Sequence, residues 1–180
     1  NFYSNGIQGG IVPTATGMAL AEKHKGSRAI AAVFLGDGTL GEGVVYESLN
    51  MASLWQAPVL YVVENNRIAQ TTPANKAVSG SIPWRFQAFG IPTYELDSSE
   101  AAEIGALAEQ VITQVRGEGR PAALILHTCR FGPHSKGDDT RPAEEIERMR
   151  RQRDPLRLFR QRLKASDWKE IEQEVNLEVE

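Results

Sequence analysis

The sequence is poor in cysteine and contains no long hydrophobic run. Its only cysteine is Cys129, so the chain can form no internal disulfide, as is usual for proteins of the reducing cytosol. The longest apolar runs have about seven residues, whereas a helix that spans a membrane needs about 20. No stretch has the layout of a signal peptide. These absences predict a cytoplasmic protein without a membrane partner.

The sequence also lacks an excess of charge of either sign. Lysine and arginine together number 20, aspartate and glutamate 23, and the formal net charge is −3. So small a charge is no basis for binding nucleic acid or an anionic membrane. Hydrophobic residues make up 41% of the 180 residues, which is enough for a globular unit with a buried core.

One stretch, residues 29–66, predicts the fold. Residues 29–35 are continuously apolar, which is typical of a strand buried on both faces of a parallel sheet. A glycine-rich turn at 36–43 follows, then a helical pattern at about 42–56 and a second apolar run at 59–63. Together these form a βαβ unit, whose ligands bind at the carboxyl ends of the strands. The prediction is an α/β fold in three layers, with a mostly parallel sheet flanked by helices.

The glycine turn has two interpretations. It spells G-x-G-x-x-G, the dinucleotide fingerprint, and Glu64 stands where a ribose-binding acid is expected. Against NAD stands Asp37, whose charge would repel a pyrophosphate unless a divalent cation bridges the two anions. Mg²⁺ suits that role because it takes about six oxygen ligands from a few protein groups and substrate phosphates. Asn65 and Asn66, on the loop after the next strand, can supply a neutral amide oxygen. We therefore predict that Asp37 and Asn66 bind Mg²⁺.

The same residues resemble a known family. Gly-Asp-Gly at 36–38, followed about thirty residues later by Asn-Asn at 65–66, is similar to the thiamine diphosphate motif. With E-x-x-N-x-A at 47–52 and Pro-Val at 58–59, the pattern resembles the alpha subunit of the decarboxylating component of 2-oxo acid dehydrogenases, of the pyruvate, branched-chain and acetoin types. The resemblance covers nearly the whole chain. It implies an enzyme with the thiamine diphosphate-binding fold that uses thiamine diphosphate and Mg²⁺.

The resemblance also implies which residues form the site. The cofactor contacts it implies are the backbone of Gly6 and Gln8, the turn residues Gly36, Asp37, Gly38 and Thr39, and the side chains of Asn66 and His134. The backbone carbonyl of Ile68 joins Asp37 and Asn66 as a metal ligand. From the residues alone, the loop at 5–10 is equally well a plain turn, and a lone loop histidine is usually solvated.

Residues 130–141 form a second informative stretch, at the carboxyl end of a predicted strand. They resemble the family loop R-x-G-x-H-S-x-x-D-D, whose histidine, here His134, points at the diphosphate of the cofactor and is the implied catalytic residue. A ring N–H that donates to a phosphate oxygen makes a strong, charge-assisted bond. Ser135 matches a position that is phosphorylated in some relatives. Asp138 and Asp139 either cap the following helix or organise the loop.

The chain lacks an evident glutamate to activate the aminopyrimidine ring. In the family this residue comes from a beta-type subunit or domain, so the resemblance implies such a partner, an α2β2 assembly and a lipoyl or other carrier protein. The family also has a long segment before this point that includes part of the diphosphate grip, so a chain beginning at Asn1 is expected to be split, processed or part of a longer one. A transketolase-like two-carbon transfer and a non-catalytic or NAD-binding module are the alternatives.

The remaining patterns predict the scaffold. We expect a helix at 12–25, a long irregular loop at 66–83, a strand at 93–96, and a buried strand at 122–127 in which His127 is a packed residue. Asp97 is placed to cap a helix that Gly117 ends. Residues 1–141 would form the cofactor-binding domain, and 142–180 a charged helical tail in which Asp154 caps a helix. The charges of that tail, and Glu47, lie either on solvated faces or at subunit contacts.

Overall fold

A computed structural model describes residues 2–135 and 137–179 of the chain. The helices are Gln8–His24 (α1), Gly43–Trp55 (α2), Ala74–Ala77 (α3), Ile82–Gln87 (α4), Ala101–Glu118 (α5), Ala143–Arg153 (α6), Pro155–Arg160 (α7) and Ala165–Val179 (α8). The strands are Ala31–Gly36 (β1), Val59–Asn65 (β2), Ile68–Ala69 (β3), Thr72–Pro73 (β4), Thr93–Leu96 (β5) and Ala122–His127 (β6), and a 3-10 helix, Asp37–Gly41, follows β1. Across the described residues, no helix has the length and apolar character needed to cross a membrane.

The central sheet is parallel and has the strand order β1-β2-β6-β5. The inner strands β2 and β6 are buried along almost their whole length, as their continuous apolar runs predict. Strand β1 lies at the edge of this sheet, and its Phe34 is 59% exposed although Val33 and Leu35 are buried. Among the described residues β1 pairs with β2 alone, and its buried residues Val33 and Leu35 pack on one face, so the expectation that this strand is buried on both faces is wrong.

Helices cover both faces of the sheet, and this confirms the predicted three-layer α/β fold. Alternate residues of β2, such as Tyr61, pack with α1 and α2 in one core cluster. The intervening residues, such as Leu60, pack with Val111 and Val115 of α5 in a second cluster. Inside the first cluster the hydroxyl groups of Tyr61 and Thr16 lie 2.9 Å apart, so the buried polar tip of the tyrosine has a partner.

Helix α1 begins four residues before the predicted start at residue 12. The predicted glycine-rich loop at 5–10 is therefore loop only up to Ile7, because Gln8, Gly9 and Gly10 form the first helical turn. One free N–H group of this turn is satisfied from a distant part of the chain, since Glu42 Oε1 accepts a hydrogen bond from Gly9 N at 3.1 Å. Local sequence rules for helix starts do not include a cap that comes from 33 residues away.

The segment after β2 is more regular than the predicted loop at 66–83. Strands β3 and β4 form a two-residue antiparallel hairpin in which Ile68 pairs with Pro73 and Ala69 with Thr72, and α3 follows at once. Strands this short carry no periodicity, so the pattern could not predict them. Helix α4 comes next, and Ser81 caps it, because Ser81 Oγ accepts a bond from Trp84 N at 3.5 Å.

Both predicted ends of α5 are wrong. The helix starts at Ala101, and Asp97 does not cap it because the Asp97 carboxylate binds the guanidinium of Arg153 instead. At the other end the helix passes Gly117 and stops at Gly119, which has a φ of +64°. A residue with this left-handed conformation ends many helices, and glycine adopts it without a steric penalty.

The charged C-terminal segment is helical, as predicted, and Asp154 caps α7 by accepting bonds from Leu156 N at 3.0 Å and Arg157 N at 3.4 Å. The segment also contacts the sheet domain. Arg153 at the end of α6 donates to His127 O at 2.9 Å and to Ser99 Oγ at 2.9 Å. Arg162, between α7 and α8, forms an ion pair with Glu100 just before α5. The predicted division between residues 1–141 and 142–180 stays a prediction.

We expect opposite effects from alanine at the last two glycines of α5. Gly119→Ala should destabilise the protein by about 1 kcal/mol, because alanine in the left-handed region clashes with its own backbone. Gly117→Ala, the matched control inside the helix, should stabilise it by up to about 1 kcal/mol, because a Cβ there meets no atom within 4 Å and alanine favours helix. Denaturant unfolding of both variants measures this, and a Gly119→Ala protein at least as stable as Gly117→Ala would contradict it.

Candidate functional site

The polar segments that the sequence singles out lie at one edge of the sheet. The Asp37–Gly41 turn follows β1, Asn66 follows β2, and the loop of residues 128–141 follows β6. Because these three strands are parallel neighbours, their carboxyl ends meet at the same edge, which is where α/β sheets bind ligands.

Asp37 is the most unusual residue of this edge, because its carboxylate is buried without a full set of partners. The residue is 2% exposed. Its Oδ1 accepts a bond from Gly38 N at 2.7 Å, whereas its Oδ2 has no hydrogen-bond partner among the described residues. Burial raises the pKa of Asp37, against the nearby N–H groups of Gly38, Arg67 and Ile68, which favour the charged form. A bound cation would satisfy the free oxygen.

The turn after β2 brings the backbone N–H groups of Arg67 and Ile68 next to Asp37. Arg67 has a φ of +65°, and this left-handed residue reverses the chain between Asn66 and Ile68. Asn66 Oδ1 accepts a bond from Ile68 N at 3.0 Å, which leaves a lone pair on the same oxygen for a cation. No group of three or more His, Cys, Asp or Glu side chains in residues 2–135 and 137–179 could hold a metal. A metal held by one carboxylate and neutral oxygens would therefore be a hard cation such as Mg²⁺.

The glycine turn is held by close contacts on both sides. On one side, a Cβ built on Gly38 would lie 2.4 Å from the Cβ of Ala69 in β3, so only glycine lets the turn pack against the hairpin. On the other side, Gln8 Oε1 accepts bonds from Gly36 N at 3.1 Å and from Thr39 Oγ1 at 2.7 Å. Gln8 thus connects the start of α1 to Gly36 and Thr39, on either side of Asp37.

Sequence reasoning expected Gln8 and Gly6 as backbone contacts and missed the side chain of Gln8. Gly6 lies exposed in the segment that precedes α1. The Gln8 side-chain bonds span 28 and 31 residues of sequence, so no local pattern could have shown them. The same applies to Glu42, whose carboxylate caps α1 through Gly9 N. The side chains of Gln8 and Glu42 thus shape the site, and neither side-chain role was predicted.

The loop after β6 is organised by its aspartates, which settles the alternative left open by the sequence. Asp138 accepts bonds from the backbone and hydroxyl of Ser135, at 3.0 Å and 2.6 Å. Asp139 forms an ion pair with Arg141, and the hydrogen bonds from Arg141 lower the pKa of Asp139 to about 2. Helix α6 has no side-chain cap, so neither aspartate serves as one.

Arginines connect this loop to the rest of the edge. Arg141 donates to Arg130 O at 2.8 Å and to Gly132 O at 3.2 Å. Arg130 in turn donates to Gln70 O at 2.9 Å, in the hairpin that follows Asn66. His134 is exposed in this loop, and no hydrogen bond joins it to Asp37 or Asn66 within the described part of the chain. The backbone of Arg67 and Ile68 therefore lies beside Asp37, and the placement of Asn66 and His134 around it stays a prediction.

His127, predicted as a packed residue, also takes part in hydrogen bonds. His127 at the end of β6 is packed, with a side chain that is 17% exposed, but both of its ring nitrogens have hydrogen-bond partners.

Glu47 of α2 is exposed. The two alternatives for it, a solvated residue and a contact across a subunit interface, both stay open.

Comparison with known proteins shows which family the chain resembles along its length. The family described as Dehydrogenase E1 component matches residues 1–180. The alpha subunit of the pyruvate dehydrogenase E1 component from Rhizobium meliloti is 35% identical over 97% of this chain and 53% of its own length. The Rickettsia felis protein of the same name is 38% identical over 97% of this chain and 56% of its own length. The chain therefore spans about half the length of the curated relatives it matches.

A solved structure supports the fold as well. Transketolase from Campylobacter jejuni superposes with a TM-score of 0.52 at 23% sequence identity, over 67% of this chain and 19% of that protein. At this level of identity the likeness concerns the fold alone.

The buried charge of Asp37 predicts an effect on stability in the absence of metal. Because the pKa of Asp37 is raised in the folded state, the free energy of unfolding of the protein falls as the pH rises from about 4. Asp37→Asn keeps the acceptor for Gly38 N and removes the charge, so at pH 7 with a chelator it should raise the free energy of unfolding by about 1 kcal/mol. The difference between the two proteins should shrink as the pH falls towards 4. An Asp37→Asn protein less stable than the wild type at pH 7 would contradict this.

Proposed function

Because the chain belongs to the dehydrogenase E1 component family, we propose that it is the diphosphate- and Mg²⁺-binding part of a thiamine diphosphate-dependent enzyme that decarboxylates a 2-oxo acid. The observation that carries the proposal is the buried, unpartnered Oδ2 of Asp37 in a glycine turn beside the Asn66–Ile68 backbone. Since the two curated relatives described above are named pyruvate dehydrogenase components, pyruvate is the first substrate to test.

The proposed metal ligands are one carboxylate oxygen and two neutral oxygens. Asp37 would provide Oδ2, Asn66 its Oδ1, and Ile68 its carbonyl oxygen. Phosphate oxygens of the cofactor and water would supply the remaining ligands that Mg²⁺ requires. The charge of Asp37, costly when buried alone, is then compensated by the cation.

The diphosphate would lie against the glycine turn. Gly36, Gly38 and Thr39 form the wall next to the metal, and Gln8 keeps that wall in place through Gly36 N and Thr39 Oγ1. Gly6 and the backbone of Gln8 would approach the aminopyrimidine from the start of α1. His134, on the loop after β6, would donate a ring N–H to a phosphate oxygen once that loop folds over the cofactor, and we propose it as the catalytic residue of this chain.

The chemistry and the remaining parts of the enzyme follow from the cofactor. When bound, thiamine diphosphate supplies the electron sink that lets the bond beside a ketone carbonyl break. This chain binds and orients the cofactor, and a beta-type subunit or domain would supply the carboxylate that activates the aminopyrimidine. We propose an α2β2 assembly that passes the acyl group to a lipoyl carrier. The single Cys129 supports a reducing compartment such as the cytoplasm.

The metal assignment is tested in the assembled enzyme by calorimetric titration of thiamine diphosphate with and without Mg²⁺. Asp37→Ala should weaken the Mg²⁺-dependent affinity at least about 100-fold, because even residues that only support a metal ligand cost 10- to 100-fold. Asp167→Ala, which removes an exposed aspartate of α8, is the matched control and should bind as the wild type does. Equal affinities of the two variants would refute the assignment, and binding of NAD in place of thiamine diphosphate would refute the proposed function.

Dependence on a partner is tested with the chain alone, once circular dichroism shows it to be folded. Without the activating carboxylate and the walls of a beta-type partner, it should show no significant turnover of pyruvate with an artificial electron acceptor. Loss of acid–base help alone costs typically 10²- to 10⁴-fold. Adding the partner should restore turnover of 2-oxo acids but not of ketoses, which distinguishes this function from transketolase-like transfer. Robust turnover by the isolated chain would contradict the proposed composite site.

A further inference from the structure

A polar cluster next to the candidate metal site joins the carboxyl ends of three strands. Asn65 ends β2, His127 ends β6, and Glu95 lies in β5, in the order in which these strands neighbour one another. Asn65 is 7% exposed and the His127 side chain 17%. The metal site as proposed uses none of the three side chains, yet Asn65 immediately precedes the metal ligand Asn66.

The hydrogen bonds of this cluster determine which way each side chain faces. Asn65 Oδ1 accepts a bond from Arg67 N at 3.1 Å, and a backbone N–H can only donate. The amide nitrogen of Asn65 therefore points at His127 Nδ1, 3.0 Å away, and must donate to it. Nδ1 can accept only when it carries no proton, so the proton of the neutral ring is on Nε2. That N–H donates to Glu95 Oε1 at 2.8 Å.

These bonds form a chain from Glu95 through His127 and Asn65 to the backbone of Arg67. Arg67 has the left-handed φ of +65° that reverses the chain between the metal ligands Asn66 and Ile68. A non-glycine residue in this conformation persists only where its surroundings hold it. The bond from Arg67 N to Asn65 is one such restraint, and the orientation of the Asn65 amide depends on an acceptor at His127.

The cluster is also held from outside the sheet. Arg153 at the end of α6 donates to His127 O at 2.9 Å and forms an ion pair with Asp97. Asp97 also lies 3.5 Å from Arg67. The backbone of His127 is thus fixed by a residue of the charged C-terminal segment, so His127 presents a stationary acceptor to Asn65.

We infer that His127 is a positioning residue for the metal-binding turn, acting through Asn65, an inference that rests on the proposed function. Its unprotonated Nδ1 keeps the Asn65 amide turned so that Oδ1 holds Arg67 N. Asn66 Oδ1 and the carbonyl of Ile68 are thereby held where Asp37 faces them. An apolar side chain at 127 removes the acceptor, frees the amide to rotate, and loosens the turn without removing any metal ligand.

The test compares two substitutions of His127 in the assembled enzyme. His127→Leu offers no acceptor and should weaken Mg²⁺-dependent binding of thiamine diphosphate by about 10- to 100-fold, the usual effect of losing a group that supports a metal ligand. His127→Gln offers a carbonyl oxygen to Asn65 and an N–H to Glu95, and should bind within about threefold of the wild type. At saturating cofactor both should keep kcat within a few-fold of the wild type. His24→Leu, at the exposed end of α1, is the control that should change nothing.

A second pair of variants tests whether His127 acts through Asn65. Asn65→Ala should weaken binding as much as His127→Leu does, and the double variant should bind no more weakly than either single one, because residues of one network are not additive. If His127→Leu does not fold, Asn65→Ala alone tests the inference. The inference is overturned if Asn65→Ala or His127→Leu binds the cofactor within twofold of the wild type, or if His127→Gln binds as weakly as His127→Leu. It is also overturned if the double variant shows the full sum of the two single losses in binding free energy. A wild-type enzyme that binds no thiamine diphosphate would refute the proposed function instead.

Discussion

The carboxylate of Asp37 must be buried at the carboxyl edge of the sheet, and the arrangement of the edge follows from this constraint. A buried charge with a free oxygen is costly, so the surrounding backbone has to be close, rigid and ready for a cation. Gly38 permits contact with Ala69, and Gln8 binds Gly36 and Thr39 on either side of Asp37. In the proposed function, stability in the absence of ligand is given up locally so that a bound cation would meet a charge already in place.

Hydrogen bonds between distant residues hold the loops in place, whereas apolar packing holds the sheet. The inner strands are held by buried side chains on both faces, whereas the loops at their carboxyl ends contain few apolar residues. Arg130 joins the loop after β6 to Gln70 of the hairpin, and Arg141 joins two parts of its own loop. Arg153 extends these connections to α6. Guanidinium groups suit this task because each can donate several bonds in fixed directions.

The incorrect predictions have a common cause. The start of α1, the role of Asp97 and the end of α5 were predicted from neighbours in sequence, but each depends on a distant group or on backbone geometry. Glu42 caps α1 from 33 residues away, and Arg153 draws Asp97 away from the start of α5. At the end of α5, two glycines compete within three residues, and only Gly119 has the left-handed φ that stops the helix.

By itself the sequence determined the α/β fold and the parallel inner strands, and it predicted that the Asp37 and Asn66 segments form one site. These depend on apolar runs and on chemical groups whose spacing matches one βαβ unit, and such features are local. Only the tertiary structure decided that Oδ2 of Asp37 has no partner, that Gln8 holds the turn, and that His127 faces Asn65 with an unprotonated nitrogen. Each of these depends on atoms brought together across 28 or more residues, and no pattern of neighbouring residues records such an approach.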